Sequence, residues 1–117
     1  MRIDKFEDII SWQKGIELSV IVYGIFRNNR DYGFRDQIQR AAVSISNNIA
    51  EGYERQSNKE FSKFLYIAKG SAGEVRSMLN IALELGYISK TQFNDLQNRC
   101  SEISRLISGF IKSIQPT

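Results

Sequence analysis

The chain has 117 residues with 16 Lys and Arg against 13 Asp and Glu, a formal charge of +3, and 42% hydrophobic and 25% charged side chains. That is one ordinary domain, 1–117, too apolar to be disordered, and it contains no run near the roughly 18 apolar residues that a bilayer span requires. With no histidine, one cysteine and a single proline, Pro116, it lacks the commonest metal ligand, the commonest general base and any internal disulfide, so no cofactor is expected.

Nothing before position 116 forbids helix, and apolar residues recur at helical rather than alternating intervals. Four helices are predicted, at 6–27, 34–54, 58–85 and 89–114. The opening MRIDKFEDII carries Asp4, Glu7 and Asp8 where a secretory leader needs a basic start and an apolar core, so a cytoplasmic location is expected. Asp4 with Glu7 has the spacing of a helix-starting box. The first helix holds Ile9, Trp12, Ile16, Val20 and Tyr23 on one side and Leu18, Ile21, Val22 and Ile25 on the other. Being apolar all round in its second half, it has more apolar surface than a four-helix core uses. That excess, with a second apolar stripe on the third helix, points to contact between subunits through Leu18, Ile21, Val22, Ile25, Met78 and Ile81. A membrane role is the rival, but the segment 15–26 is about half a spanning length.

In the second helix Ile38, Ala42, Ile45, Ile49 and Gly52 form the inner stripe, with Gln37, Ala41, Ser44, Asn48 and Glu51 beside it. In the third, Phe61, Leu65, Ala68, Ala72, Val75, Leu79 and Ala82 form one seam, and Phe64, Ile67, Ser71, Glu74, Met78, Ile81 and Leu85 a second. In the fourth, Phe93, Leu96, Cys100, Ile103, Ile107, Phe110 and Ile114 alternate spacings of 3 and 4. Ser57 with Glu60 and Ser89 with Gln92 match the capping box that opens a helix, and Gly86 after Leu85 suits the left-handed residue that ends one. Short connections make consecutive helices antiparallel, so the expected fold is all-α, an up-down-up-down four-helix bundle. Cys100 is read as a small core residue.

Gly52, Gly70 and Gly73 sit in or beside helices, where glycine costs about 1 kcal/mol relative to alanine, and close packing is the expected reason. Folding helices two and three about a turn near Gln56 sets Arg40 opposite Ala72 and within reach of Glu74. The expectation is a partly buried Arg40–Glu74 ion pair in a structural polar network with Ser44, Asn48, Glu51 and Ser71. A two-carboxylate catalytic site is the sharper alternative, but Glu51 and Glu74 fall over three helical turns apart in this register. The charge is mild. Arg55, Lys59, Lys63, Lys69 and Arg76, with Tyr66 among them, are the candidate nucleic-acid contacts, and Arg27, Arg30 and Arg35 cluster at the first turn.

The run Ser44-Ile45-Ser46-Asn47-Asn48-Ile49-Ala50-Glu51-Gly52, then Phe61 to Leu65, Gly70-Ser71-Ala72-Gly73-Glu74 and Leu85-Gly86-Tyr87, with Phe6-Glu7-Asp8 and Trp12 ahead, resembles the small bacterial four-helix-bundle proteins encoded in intervening sequences of 23S ribosomal RNA genes. The likeness runs from about Phe6 to Ile114. The family usually has a proline between the motif serine and asparagine, where this chain has Ser46 or Asn47, so local helix geometry there is open. The resemblance implies assembly into a closed ring, a pentamer, in a family with no established enzymatic activity. It marks Ser44, Asn48, Glu51, Gly52, Ser71 and Glu74 as residues of fold and assembly. A related branch, the accessory variability proteins of diversity-generating retroelements, forms basic rings that hold a reverse transcriptase and its nucleic acid, and this chain is less basic than that branch. The implied partners are therefore a second copy of the chain and an RNA or a reverse-transcriptase-like protein. An adaptor for RNA or an RNA–protein complex and a scaffold for protein alone are both open. An enzyme is the least favoured reading.

Overall fold

A computed structural model describes residues 2–114. It contains four α-helices: α1 (Ile10–Phe26), α2 (Tyr32–Tyr53), α3 (Asn58–Glu84) and α4 (Lys90–Ile114), preceded by a 3-10 turn at Phe6–Asp8. Each expected helix forms, and the differences lie at the starts. Asp4 does not cap a helix. Its amide instead donates to Asp8 Oδ2 (3.1 Å), and the chain passes through extended Ile9 before α1 begins. The second helix begins two residues earlier than expected, because Asp31 Oδ1 accepts from the Phe34 amide (3.2 Å). The other two boundaries follow their sequence signals. Ser57 Oγ accepts from the Glu60 amide (3.1 Å), while Ser89 and Gln92 close a reciprocal box at 3.1 and 2.9 Å.

Gly86, at φ +75°, ends α3. Its amide donates to the Leu83 carbonyl and that of Tyr87 to Ala82, the paired bonds of a Schellman stop.

The four helices are antiparallel neighbours around one core. Contacts climb one helix as they descend the next: Gly15 against Ser46 and Phe26 against Phe34, then Gly52 against Phe61 and Gln37 against Glu74. Phe61 meets Phe110 while Arg76 meets Gln97, and Lys14 and Glu17 reach Glu102 and Arg99. This is the up-down-up-down order, and the molecule measures 46 × 22 × 19 Å. Its axis is filled by Leu18, Val22 and Phe26, by Ile38, Ala42, Ile45 and Ile49, by Leu65, Ala68, Ala72, Val75, Leu79 and Ala82, and by Leu96, Cys100, Ile103 and Ile107. Aromatic clusters close both ends, Phe26–Phe34–Tyr87 at one and Tyr53–Phe61–Phe110 at the other.

The first helix turns inward the face that was expected to be free. Leu18 and Val22, expected at a subunit contact, are fully buried in the core, Met78 in α3 is buried as well, and Ile21 and Ile25 pack partly against the core. The opposite stripe, Ile16, Val20 and Tyr23, faces outward, with Val20 68% exposed. Both faces of this helix are apolar, so apolar count does not choose between them. What chooses is size: Ser11, Gly15 and Ser19 lie one turn apart on the buried side, and a Cβ on Gly15 would stand 3.3 Å from Ser46 Cβ of α2. Of the six proposed interface residues, Ile81 alone is well exposed, at 48%.

Close packing is confirmed at Gly52 and overturned at Gly70 and Gly73. A Cβ on Gly52 would lie 2.6 Å from Phe64 Cβ and 2.9 Å from Phe61 Cδ1, so only glycine lets α3 start this close to the end of α2. At Gly70 and Gly73 the space above the Cα is open, since both lie on the outer face of α3.

Candidate nucleic-acid interface

Helices α3 and α4 pack through Ala68, Ala72 and Val75 on one side and Cys100, Ile103 and Ile107 on the other. Residues one step outward on each helix then face each other across a surface groove. On α3 these are Lys69 and Arg76, seven apart and thus on one stripe, and on α4 they are Ser101, Ser104, Arg105, Ser108, Gly109 and Lys112. The groove encloses about 540 Å³. Its floor is low because three serines and a glycine line it, and its rims carry four cations.

Among the described residues, no acidic side chain lines this groove. Among the described residues, Lys69, Arg76, Arg105 and Lys112 have no carboxylate within 4.0 Å, whereas Lys14, Arg35, Arg55 and Arg99 do. Arg76 is oriented by Gln97, its Nε donating to Oε1 (3.3 Å) while Gln97 Nε2 donates to the Arg76 carbonyl (3.0 Å). Four cations outside any ion pair among the described residues, set around a polar lining, form an anion-attracting surface. Arg105 and Lys112 were not among the residues expected from sequence. The available signal was their seven-residue spacing with serines between them, a polar stripe flanking the apolar seam of α4.

The other expected contacts lie elsewhere. Arg55 sits at the α2–α3 turn, its guanidinium 4.9 Å over the Phe64 ring and 4.0 Å from Glu51. Lys59 and Lys63 are exposed on the first turns of α3 and do not line the groove. Tyr66, 55% exposed, stands one turn before Lys69. Arg27, Arg30 and Arg35 line a second, smaller basic depression at the α1–α2 turn.

The polar network is present in part. Ser71 donates to Ser44 Oγ across α2 and α3 (2.9 Å), and Asn48 Nδ2 donates to Ser44 Oγ (2.9 Å) and to its carbonyl (2.7 Å). The Arg40–Glu74 ion pair does not form. Glu74 accepts from Gln37 (3.3 Å), and Arg40 turns toward α1, where it lines an open groove of about 470 Å³ with Tyr23, Val43, Ser44, Asn47, Asn48 and Glu51. The hairpin register is close to the one expected, with Gln37 opposite Glu74 and Gly52 opposite Phe61, and Gln37 rather than Arg40 takes the carboxylate. Glu51 and Glu74 have different partners, Arg55 and Gln37, and do not share a site.

Cys100 is buried, and burial pushes its thiol up to about 12 against a smaller opposing pull from Arg76. A thiol that stays protonated is a core atom, not a nucleophile. Among the described residues no cluster of three His, Cys, Asp or Glu side chains has a geometry that would hold a metal, and no helix is long and apolar enough to cross a membrane.

No curated protein matches the sequence. Among solved structures, the chain is similar to a Bacteroides thetaiotaomicron protein of unknown function from the S23 ribosomal protein family, with a TM-score of 0.82 and 28% identity over 88% of this chain and 99% of that one. The family model for the 23S rRNA-intervening sequence protein matches residues 7–109, which include all of α1, α2 and α3 and most of α4. With its four-helix architecture and its Ser44-to-Gly52 motif, the chain belongs to the 23S rRNA-intervening sequence protein family.

Proposed function

We propose that this chain is a non-enzymatic, cytoplasmic bundle that assembles as a homo-oligomeric ring, a pentamer, and serves as an adaptor for RNA or a ribonucleoprotein. The observation that carries the reading is the α3–α4 groove, where Lys69, Arg76, Arg105 and Lys112 converge without a carboxylate among its lining residues. Phosphate contacts supply most of the sequence-independent affinity for nucleic acid, and a ring repeats each groove around one assembly. Self-assembly is supported by apolar side chains left outside the core, Ile16, Val20 and Tyr23 on α1, Ile67 and Ile81 on α3, and Leu85 just after it.

The test is charge reversal at two places, read as binding of a labelled structured RNA. Arg105→Glu with Lys112→Glu is expected to weaken binding about tenfold or more at low salt, while Lys59→Glu with Lys63→Glu has a smaller effect. Equal loss from both pairs would remove the groove as the site. The exposed apolar stripes also favour a second reading, a scaffold for protein such as a reverse-transcriptase-like partner, and retention of one specific protein after nuclease treatment, with no RNA affinity, would select it.

A further inference from the structure

Resting on the RNA-binding reading, we infer that the α3–α4 groove takes a single strand rather than a duplex, laid along the helix axes. The floor supplies the reason. Ser101, Ser104 and Ser108 line it, and among the described residues none of their hydroxyls has a hydrogen-bond partner in the protein, although all three are only partly exposed. They are free donors set below the cationic rims.

The rims stand on adjacent helices, whose axes are about 8–10 Å apart. A ligand that reaches the floor must enter between them, and one sugar-phosphate backbone is thin enough to do so. In a duplex the bases are paired and turned inward, so only a single strand can also offer a base to a protein ring beside the groove.

The cations are also arranged lengthwise. The Arg76–Gln97 contact fixes the register of α3 on α4. Measured from that level at 1.5 Å per residue, Lys69 and Arg105 lie about 10–12 Å along the groove and Lys112 about 22 Å along it. This is a track for roughly four nucleotides, at the short end of single-strand site sizes. Tyr66, exposed one turn from Lys69, offers a ring face on which a base turned away from the backbone can stack. Hydroxyl and ammonium donors to phosphate read no base, so the preference is for strand state and not for sequence.

The test compares a labelled oligouridylate of about eight nucleotides with a hairpin of similar stem length, at low salt, by fluorescence anisotropy. Three proteins are used: the wild type, Lys112→Glu and Gly109→Leu. Gly109 is exposed in the groove with open space where a Cβ would stand, so leucine fits there, improves the helix and obstructs the floor without altering charge. Single strand is expected to bind at least about fivefold tighter than hairpin. Gly109→Leu should weaken the single strand by a similar factor and leave the hairpin unchanged, while Lys112→Glu weakens both. Thermal unfolding of Gly109→Leu checks that the fold is intact. Hairpin affinity equal to or above that of the single strand, with no effect of Gly109→Leu, overturns the single-strand assignment but leaves groove binding standing if Lys112→Glu still weakens the hairpin. Failure to bind either RNA overturns the RNA reading itself.

Discussion

Cys100 and Gly52 are both buried, one as a thiol kept from reagents and the other as a position with no space for a side chain. Cys100 is held protonated by burial, so thiol reagents should leave the native protein unmodified and label it only when unfolded, as mass spectrometry with and without denaturant would report. Fast labelling of the native protein would contradict its placement in the core. At Gly52 a methyl group has nowhere to go, and Gly52→Ala should destabilise by about 1–3 kcal/mol through overpacking against Phe61 and Phe64. Gly70→Ala meets open space and should stabilise by about 0.4–1 kcal/mol. Denaturant titration of both variants checks the contrast, and the same sign for both would contradict it. Sequence alone treats these glycines alike, because helix propensity sees the missing Cβ and not the neighbour that occupies its space. Ser44 differs again: it joins α2 to α3 through Ser71 and holds Asn48, so Ser44→Ala should cost about 1–2 kcal/mol.

Helix ends and faces differ in how openly the sequence declares them. The inner seams of α2, α3 and most of α4 were readable because each is an unbroken row of apolar or small residues at helical spacing, and Ser57, Ser89 and Gly86 marked the boundaries. The face of α1 was not readable from apolar count, since Ile16 and Val20 are as apolar as Leu18 and Val22. The small residues Ser11, Gly15 and Ser19 decide it by letting α2 approach. The start of α2 depends on Asp31, whose second oxygen accepts from the Tyr87 hydroxyl at 2.7 Å, a contact 56 residues away that no local pattern reveals. The Tyr87 hydroxyl and then the Phe34 amide hold the Asp31 carboxyl below the ordinary carboxylate range, and the bond to Asp31 holds the Tyr87 phenol above its ordinary value. With the carboxyl value lowered on folding, its stabilisation is present above the ordinary range and lost as pH falls through the lowered value. With the phenol value raised, its share is present below the ordinary tyrosine value and lost as pH rises through the raised one. The melting-temperature gap between wild type and Tyr87→Phe should therefore be widest near neutral pH and narrow toward both extremes. A gap that does not vary with pH would contradict this link between the α1–α2 and α3–α4 turns.

At the scale of the molecule, charge and apolar surface are divided among faces. The α3–α4 face carries four cations that pair with no carboxylate among the described residues, while α1 and the outer side and end of α3 expose Val20, Tyr23, Ile67, Ile81 and Leu85. Half of the cationic groove was visible in the sequence, as Lys69 and Arg76. Arg105 and Lys112 emerged only when the register of α4 on α3 brought them opposite, because a groove belongs to two helices and a stripe to one. The proposed self-assembly through the apolar faces is checked by sedimentation of Val20→Glu, which is expected to run as smaller species than the wild type at unchanged helix content; equal sedimentation of the two would contradict a role for that face. The central claim is that the groove binds the phosphates of RNA, and the salt dependence of wild-type binding tests it most directly. With single-stranded RNA each phosphate contact contributes about 0.7 to the slope of log affinity against log salt, so four cations predict a slope near −3 per groove. Removing Arg105 and Lys112 together should halve that slope. A slope near zero, or one that the double variant leaves unchanged, would contradict the account.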